Sequence, residues 1–371
     1  MGSVNGIVAV TMPKWGLSMT EGKVMEWLVE EGTSMSVGDA MVDIETEKIA
    51  NTFEALDAGI LRKIVATSDE ILPIGALLGV LTTEANITDQ EVANFIEEFQ
   101  TNYVPPEPEE DGTSDGYSFV EVDDYRIRYS RMGDGEKTML LIHGFGGDSD
   151  RWLFTQQPLA EHATVYALDL PGHGQSSKNI EDPSIEGLAR VVISFLDILE
   201  ISDVELIGHS LGGAIALKIA EIQKEKITKL TLIAPVGLGT EINQSYILDF
   251  IAAESRKEMK KTLQELVADP SLVNRGLVDD MLKYKRTDGV KESLKKIADE
   301  FVNSEGLQNI DLKHVLLSIP KSTLIWGSND KIVPAKHSEG LNQKVSVHVL
   351  EGYGHLVQLE AASEVNALLC N

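Results

Sequence analysis

Glu45-Thr46-Glu47-Lys48-Ile49-Ala50 lies midway between two halves of a segment that repeat each other. Sliding the chain on itself by 37 positions puts Gly22 on Gly59 and Gly38 on Gly75. The same shift pairs Val24 with Leu61, Leu28 with Val65, Met35 with Leu72, Val37 with Ile74 and Ile44 with Leu81. Each half reads as short strands, apolar at period two, with Gly or acidic turns between them. Neither half can bury a core alone, so two quasi-equivalent sheets should pack face to face and leave the join between the halves as an exposed turn. Lys48 occupies that join. A lysine in a turn is ordinarily a solvated charge, but the repeat, the acidic flanks and the tip position make this one a handle for a covalent cofactor.

Outward from that turn, residues 6 to 83 resemble the lipoyl domain, the swinging-arm carrier of 2-oxo acid dehydrogenase complexes. The likeness runs through Met12-Pro13, Leu17-Ser18-Met19-Thr20-Glu21-Gly22 and the Glu-Thr-Glu-Lys turn. It implies a β-sandwich lipoyl domain over residues 1–83, with lipoate in amide linkage on Lys48, the lysine charge removed and a dithiolane at the end of a long arm. Biotin is the sister chemistry on this scaffold; its carriers usually present Met-Lys-Met, which Glu47-Lys48-Ile49 does not match.

The chain has 371 residues, too many for one carrier module and enough for a second domain with a sizeable core. Fifty-nine acidic against 32 basic side chains give a formal net charge of -27, which repels phosphate backbones and anionic membrane surfaces. Nucleic acid is therefore excluded as a natural partner, and no apolar stretch approaches membrane-spanning length. Cys370 is the single cysteine, so there is no disulfide framework within the chain and no cysteine-based metal site; no metal is expected. With no secretion or myristoylation signal at the N-terminus, a reducing cytoplasm is the expected compartment.

Residues 84–116 read as a boundary in two pieces. Thr88 and Glu91 have capping-box spacing, and Val92, Phe95, Ile96 and Phe99 follow at helical spacing. That short amphipathic helix either packs on a domain or docks a partner subunit. Val104 to Gly116 is Pro-rich and acidic; such chain stays extended at about 3.1 Å per residue and could span up to ~40 Å, a semi-rigid tether. No segment here has the length or basic character of a peripheral-subunit-binding domain.

From Tyr117 apolar runs alternate with helical segments. Residues 138–143, 165–169, 204–208, 230–234, 322–326 and 345–350 read as buried strands of a mostly parallel sheet. After the third comes Gly208-His209-Ser210-Leu211-Gly212-Gly213, with a small residue two before and two after the serine, as a sharp nucleophile elbow requires. Asp330 follows a later strand, and His355 the last one. Serine becomes a good nucleophile when an imidazole takes its proton, and the imidazole needs a carboxylate to hold its tautomer. The backbone N–H groups of Leu211 and of Phe145, in the Gly-rich turn after the first of these strands, would face the developing oxyanion. His143 and His173 read as turn-shaping residues, His209 as filling the elbow, and His162, His314, His337 and His348 as surface or strand residues.

The order Ser210, Asp330, His355 resembles that of the α/β-hydrolase fold, which residues 117–371 resemble throughout, including His143-Gly144-Phe145-Gly146 and Pro171-Gly172-His173-Gly174-Gln175-Ser176. The span from about 237 to 317 reads as helices inserted where this fold usually carries a lid. Between 254 and 296 it carries 11 basic and 8 acidic side chains in an otherwise acidic chain. Solvated helix faces account for such counts; the sharper alternative is that Lys283, Lys285 and Arg286 receive the phosphates of coenzyme A.

A lipoyl carrier fused to a hydrolase-like domain is similar to the acyltransferase component of the acetoin dehydrogenase complex. The resemblance implies a dihydrolipoamide acetyltransferase that passes an acetyl group from the lipoyl arm to coenzyme A. Its partners would be a thiamine-diphosphate-dependent acetoin-cleaving component and dihydrolipoamide dehydrogenase. The chain departs from ordinary acetyltransferases of this kind, whose catalytic domain ends in His-x-x-x-Asp-Gly. An esterase or thioesterase with an attached carrier and a non-catalytic carrier subunit remain the alternatives.

Overall fold

A computed structural model describes residues 6–15, 19–46, 50–84, 87–105 and 116–370. The chain forms two compact units, an N-terminal one and one built from Gly116 onwards.

The first unit contains β1 (Ile7–Thr11), β2 (Glu21–Trp27), β3 (Ser34–Met35), β4 (Ala40–Glu45), β5 (Ala50–Glu54), β6 (Gly59–Ile64), β7 (Ile71–Pro73) and β8 (Leu77–Thr82). They form two four-stranded sheets, ordered β1-β8-β6-β3 and β5-β4-β2-β7. The 37-residue shift carries β2 onto β6, β3 onto β7 and β4 onto β8, each time from one sheet to the other. The repeat is thus a structural one. Val24, Ile44, Leu61 and Leu81 are its buried centre, while Leu28 and Val37, apolar in the repeat, are exposed because both fall in connections beyond strand ends. Gly38 and Gly75, equivalent in the repeat, both adopt left-handed backbone, φ 90° and φ 80°, which a side chain would strain. β4 and β5 pair as far as Glu45 opposite Ala50; Lys48, in the sequence between them, lies outside the described residues.

Helix α1 (Asp89–Asn102) starts with the expected reciprocal cap. Thr88 Oγ1 accepts from Glu91 N at 3.3 Å, and Glu91 Oε2 accepts from Thr88 N at 2.7 Å. Its apolar stripe, Val92 with Phe95, Ile96 and Phe99, packs on Ile7, Leu77 and Val80 of the neighbouring sheet. Packing on its own unit occupies the face that could have docked a partner.

In the second unit β9 (Tyr117–Val122), β10 (Tyr125–Met132), β11 (Lys137–Ile142), β12 (Ala163–Leu168), β13 (Val204–His209), β14 (Ile227–Ile233), β15 (Ser322–Gly327) and β16 (Ser346–Leu350) form one sheet. Its order is β16-β15-β14-β13-β11-β12-β10-β9. The strands from β11 to β16 pair in parallel, whereas β9 and β10 add an antiparallel edge whose partly exposed strands carry no continuous apolar run. Around the sheet lie α2 (Leu153–Ala160), α3 (Ile185–Ile198), α4 (Leu211–Ile222), α10 (Val357–Glu360) and α11 (Ala362–Cys370). Met139, Leu141, Ile207 and Ile233 pack with residues of α2, α10 and α11. The alternate positions Leu140, Leu206 and Leu232 are fully buried too, so both sheet faces are covered.

Between β14 and β15 the expected helical insertion contains α5 (Gln244–Ala252), α6 (Arg256–Leu263), α7 (Arg275–Lys285), α8 (Val290–Phe301) and α9 (Lys313–Leu316). Among the described residues no helix is long and apolar enough to cross a membrane.

Candidate active site

β13 runs directly into Ser210, which precedes α4 in left-handed backbone, φ 55° and ψ -116°. Such strain persists only where the surroundings over-determine it. Here Ser210 N donates to Ile233 O at 2.9 Å, and Ser210 O accepts from Gly213 N and Val236 N at 2.9 and 3.1 Å. The flanking glycines are required sterically: a Cβ on Gly208 would lie 2.8 Å from Gly213 Cα, and one on Gly212 2.5 Å from His143 O. The Ser210 side chain makes no capping bond to α4, which leaves its hydroxyl for the cavity it lines.

Asp330 stands in the turn after β15, and its Oδ1 accepts from Ile332 N and Val333 N at 2.8 and 3.0 Å. Its Oδ2 accepts from His355 Nδ1 at 2.7 Å and from Trp326 Nε1 at 3.1 Å. A carboxylate only accepts, so His355 carries its proton on Nδ1 and offers Nε2 as a base. The His355 segment is pinned on three sides. His355 N donates to Leu266 O at 2.8 Å, His355 O accepts from His209 Nε2 at 3.0 Å, and Gly354 N donates to Glu360 Oε2 at 2.7 Å.

Ser210 and His355 line one cavity of about 30 Å³, together with Phe145 and the lid residues Tyr246, Phe250 and Phe301. That volume is room for about two waters. Gly144 permits the Phe145 turn to reach the nucleophile, since a Cβ there would lie 2.9 Å from Ser210 Cβ. Phe145 borders the cavity, and Leu211, fully buried, opens α4, so both predicted oxyanion donors sit in the two backbone turns that flank Ser210.

Four of the other histidines are buried. His143 Nδ1 donates to Gly144 O at 2.8 Å and its Nε2 accepts from Leu170 N at 3.0 Å, and burial lowers its pKa to about 4. His173 donates to Pro171 O at 3.0 Å, with burial lowering it to about 3. Burial also holds His209 well below the ordinary imidazole range. His337, expected at the surface or in a strand, is instead buried, its Nε2 2.8 Å from Glu241.

The lid cations need correction as well. Lys285 is buried, its ammonium donating to Ala253 O and lying 5.6 Å from the Phe250 ring centre, with burial lowering its pKa to about 8. It cannot present itself to a phosphate. Lys283 and Arg286 are exposed, but Arg256, Lys291, Lys295 and Lys296 pair with Asp279, Glu254, Asp299 and Glu292, as solvated helix faces do.

Three residues of the site escaped the sequence reading. Trp326 could have been noticed from its place four residues before Asp330. Glu360 takes N–H groups from Ala268 and Gly354 at 2.6 and 2.7 Å, and Arg151 borders the cavity; neither carries a local signal.

With this geometry in place, comparisons agree with both halves. Residues 137–362 match the family model for the alpha/beta hydrolase fold, and residues 8–81 the Biotin_lipoyl model, described as biotin-requiring enzyme. The chain is 43% identical over 364 residues, 98% of its length and 96% of the relative's, to the dihydrolipoyllysine-residue acetyltransferase component of the acetoin cleaving system of Cupriavidus necator. It is 41% identical to the protein of the same description from Pseudomonas putida, over 97% of this chain and 96% of that one. A crystal structure of a meta-cleavage product hydrolase variant superposes with a TM-score of 0.61 at 23% identity, covering 68% of this chain and 96% of that chain, a likeness of fold.

Proposed function

The chain belongs to the dihydrolipoyllysine-residue acetyltransferases of acetoin-cleaving systems, and from that premise we propose how it moves the acetyl group. Residues 1–83 act as the carrier with lipoate on Lys48, 84–116 as helix and tether, and 117–371 as the transferase, in the cytoplasm. When bound, the lipoyl group supplies a thiol that carries the acetyl group as a thioester. Toward that thioester His355 Nε2 would take the Ser210 proton as Oγ adds to the acyl carbon, and would return it to the sulfur as the C–S bond breaks. In the return half His355 takes the thiol proton of coenzyme A, sulfur attacks the acyl carbon, and Ser210 Oγ leaves with the proton. Backbone N–H groups of Phe145 and Leu211 hold the oxyanion in both halves. Acetyl would be delivered by a thiamine-diphosphate-dependent acetoin-cleaving component, and dihydrolipoamide dehydrogenase would reoxidise the arm.

The observation that carries this reading is the small cavity shared by Ser210 and His355, lined by Phe145, Phe250 and Phe301. The apolar lining by Phe145, Phe250 and Phe301 disfavours water, which a transferase must exclude and a hydrolase must admit. Intact mass after expression with lipoate should show one lipoyl adduct, lost in Lys48→Arg. With acetyl-dihydrolipoamide and coenzyme A the wild type should form acetyl-CoA in excess over acetate, and Ser210→Ala should form neither. Acetate as the main product would favour the thioesterase, and unchanged acetyl-CoA formation by Ser210→Ala would leave the triad idle.

A further inference from the structure

Arg151 lies in the short helical turn Ser149–Trp152, just past the Gly144 to Gly147 loop. Its side chain packs on that loop, since a Cβ on Gly147 would lie 3.2 Å from Arg151 Cγ. The residue is 8% exposed, and it borders the same cavity as Ser210 and His355. Among the described residues its only side-chain hydrogen bond is to Met281 Sδ, at 3.3 Å, a weak acceptor. Arg128, the other buried arginine, is matched by Asp169 at 3.1 Å and Asp150 at 3.9 Å. Arg151 has no such counter-ion among the described residues.

A buried guanidinium without a carboxylate is costly and uncommon. The nearest carboxylates are engaged elsewhere, Asp169 with Arg128 and Ser149 and Glu265 with Asn243. His143 and His209 are neutral, and the charge of Arg151 helps to keep them so. Tyr246 is pushed up by burial and stays a phenol. Asp330 is turned away towards His355 and Trp326. The wall of the cavity that Ser210 lines therefore includes a permanent cation, Arg151, with no carboxylate paired to it among the described residues.

We propose that Arg151 is an anion seat of the catalytic cavity and that the anion it holds is the thiolate sulfur of the acetyl donor and of the acceptor. This rests on the transferase reading. In the first half the sulfur freed as the C–S bond breaks is held by Arg151 until it takes the proton from His355. In the second half the coenzyme A sulfur is held there after giving its proton to His355 and before its bond to the acyl carbon forms. No oxidant or further reactant enters. A cation that holds sulfur as the stronger nucleophile favours transfer over attack by neutral water.

The test uses the full chain and acetate, a small monoanion, as the probe. Calorimetric titration should show acetate binding to the wild type, weaker binding to Arg151→Lys, and none to Arg151→Met, which keeps the stem and drops the charge. In the same variants, loss of a charged donor from the reacting centre should lower acetyl transfer by about 100-fold in Arg151→Met and by less in Arg151→Lys. Equal acetate binding by wild type and Arg151→Met, or transfer within about threefold of wild type, overturns the assignment. If wild-type Ser210 resists a fluorophosphonate the transferase reading fails, yet the acetate titration still decides whether Arg151 is an anion seat.

Discussion

Trp326 Nε1 donates both to Val333 O, at 2.9 Å, and to Asp330 Oδ2, at 3.1 Å, the same oxygen that accepts from His355 Nδ1. With backbone N–H groups of Ile332 and Val333 on Oδ1, the carboxylate has four donors and one orientation. The imidazole is therefore aimed by a fixed acceptor, and the indole, fully buried, helps to fix it.

Replacing Trp326 with Phe removes the N–H that Asp330 Oδ2 shares with Val333 O. A loss of about 1.5 kcal/mol corresponds to roughly tenfold. Steady-state kinetics should show kcat falling by that order with KM for coenzyme A little changed. A fall in KM-controlled binding with kcat intact would mean that the indole only fills space.

Glu360 ties the lid segment at Ala268 to Gly354, next to His355. Burial raises its pKa above the ordinary carboxylate value, against the opposing pull of the Ala268, Gly354 and Asp269 N–H groups. A carboxyl raised in the fold contributes stability that is present below its unfolded pKa and lost as pH rises through the folded one. Thermal unfolding followed from about pH 4 to about pH 7 should therefore show a component of falling stability in the wild type that Glu360→Gln lacks. Parallel curves for the two proteins would refute this.

Gly212→Ala places a methyl 2.5 Å from His143 O, a backbone atom that cannot swing aside. Overpacking of this kind costs about 1–3 kcal/mol. Denaturant unfolding should register that loss, and fluorophosphonate labelling of Ser210 should slow because the elbow must distort. Unaltered labelling would show that the turn tolerates the shift.

Ile44 and Leu81 are equivalent in the repeat and almost fully buried. Truncation of either to Ala should destabilise the N-terminal unit by ~2–5 kcal/mol, with the two costs close to each other. Hydrogen exchange of the β4 and β8 amides reads this directly, and a large inequality would show that the two halves do not share the core evenly.

The sequence by itself determined the paired sheets, the elbow and the order of the triad, because each is written locally. Strand periodicity repeats in Val24 and Leu61, Gly208 and Gly212 are spaced for one tight turn, and Ser210, Asp330 and His355 each follow a strand. Even the α1 cap was legible, since Thr88 and Glu91 satisfy each other within one turn. Tertiary structure alone decided which charges are buried and what they meet. Lys285 belongs to a basic run in sequence, but Ala253 and Phe250 enclose it; Arg151 resembles any polar loop residue until Gly147, Met281 and the lid surround it. Backbone geometry depends on neighbours along the chain, whereas desolvation and counter-ions depend on segments that only folding brings together.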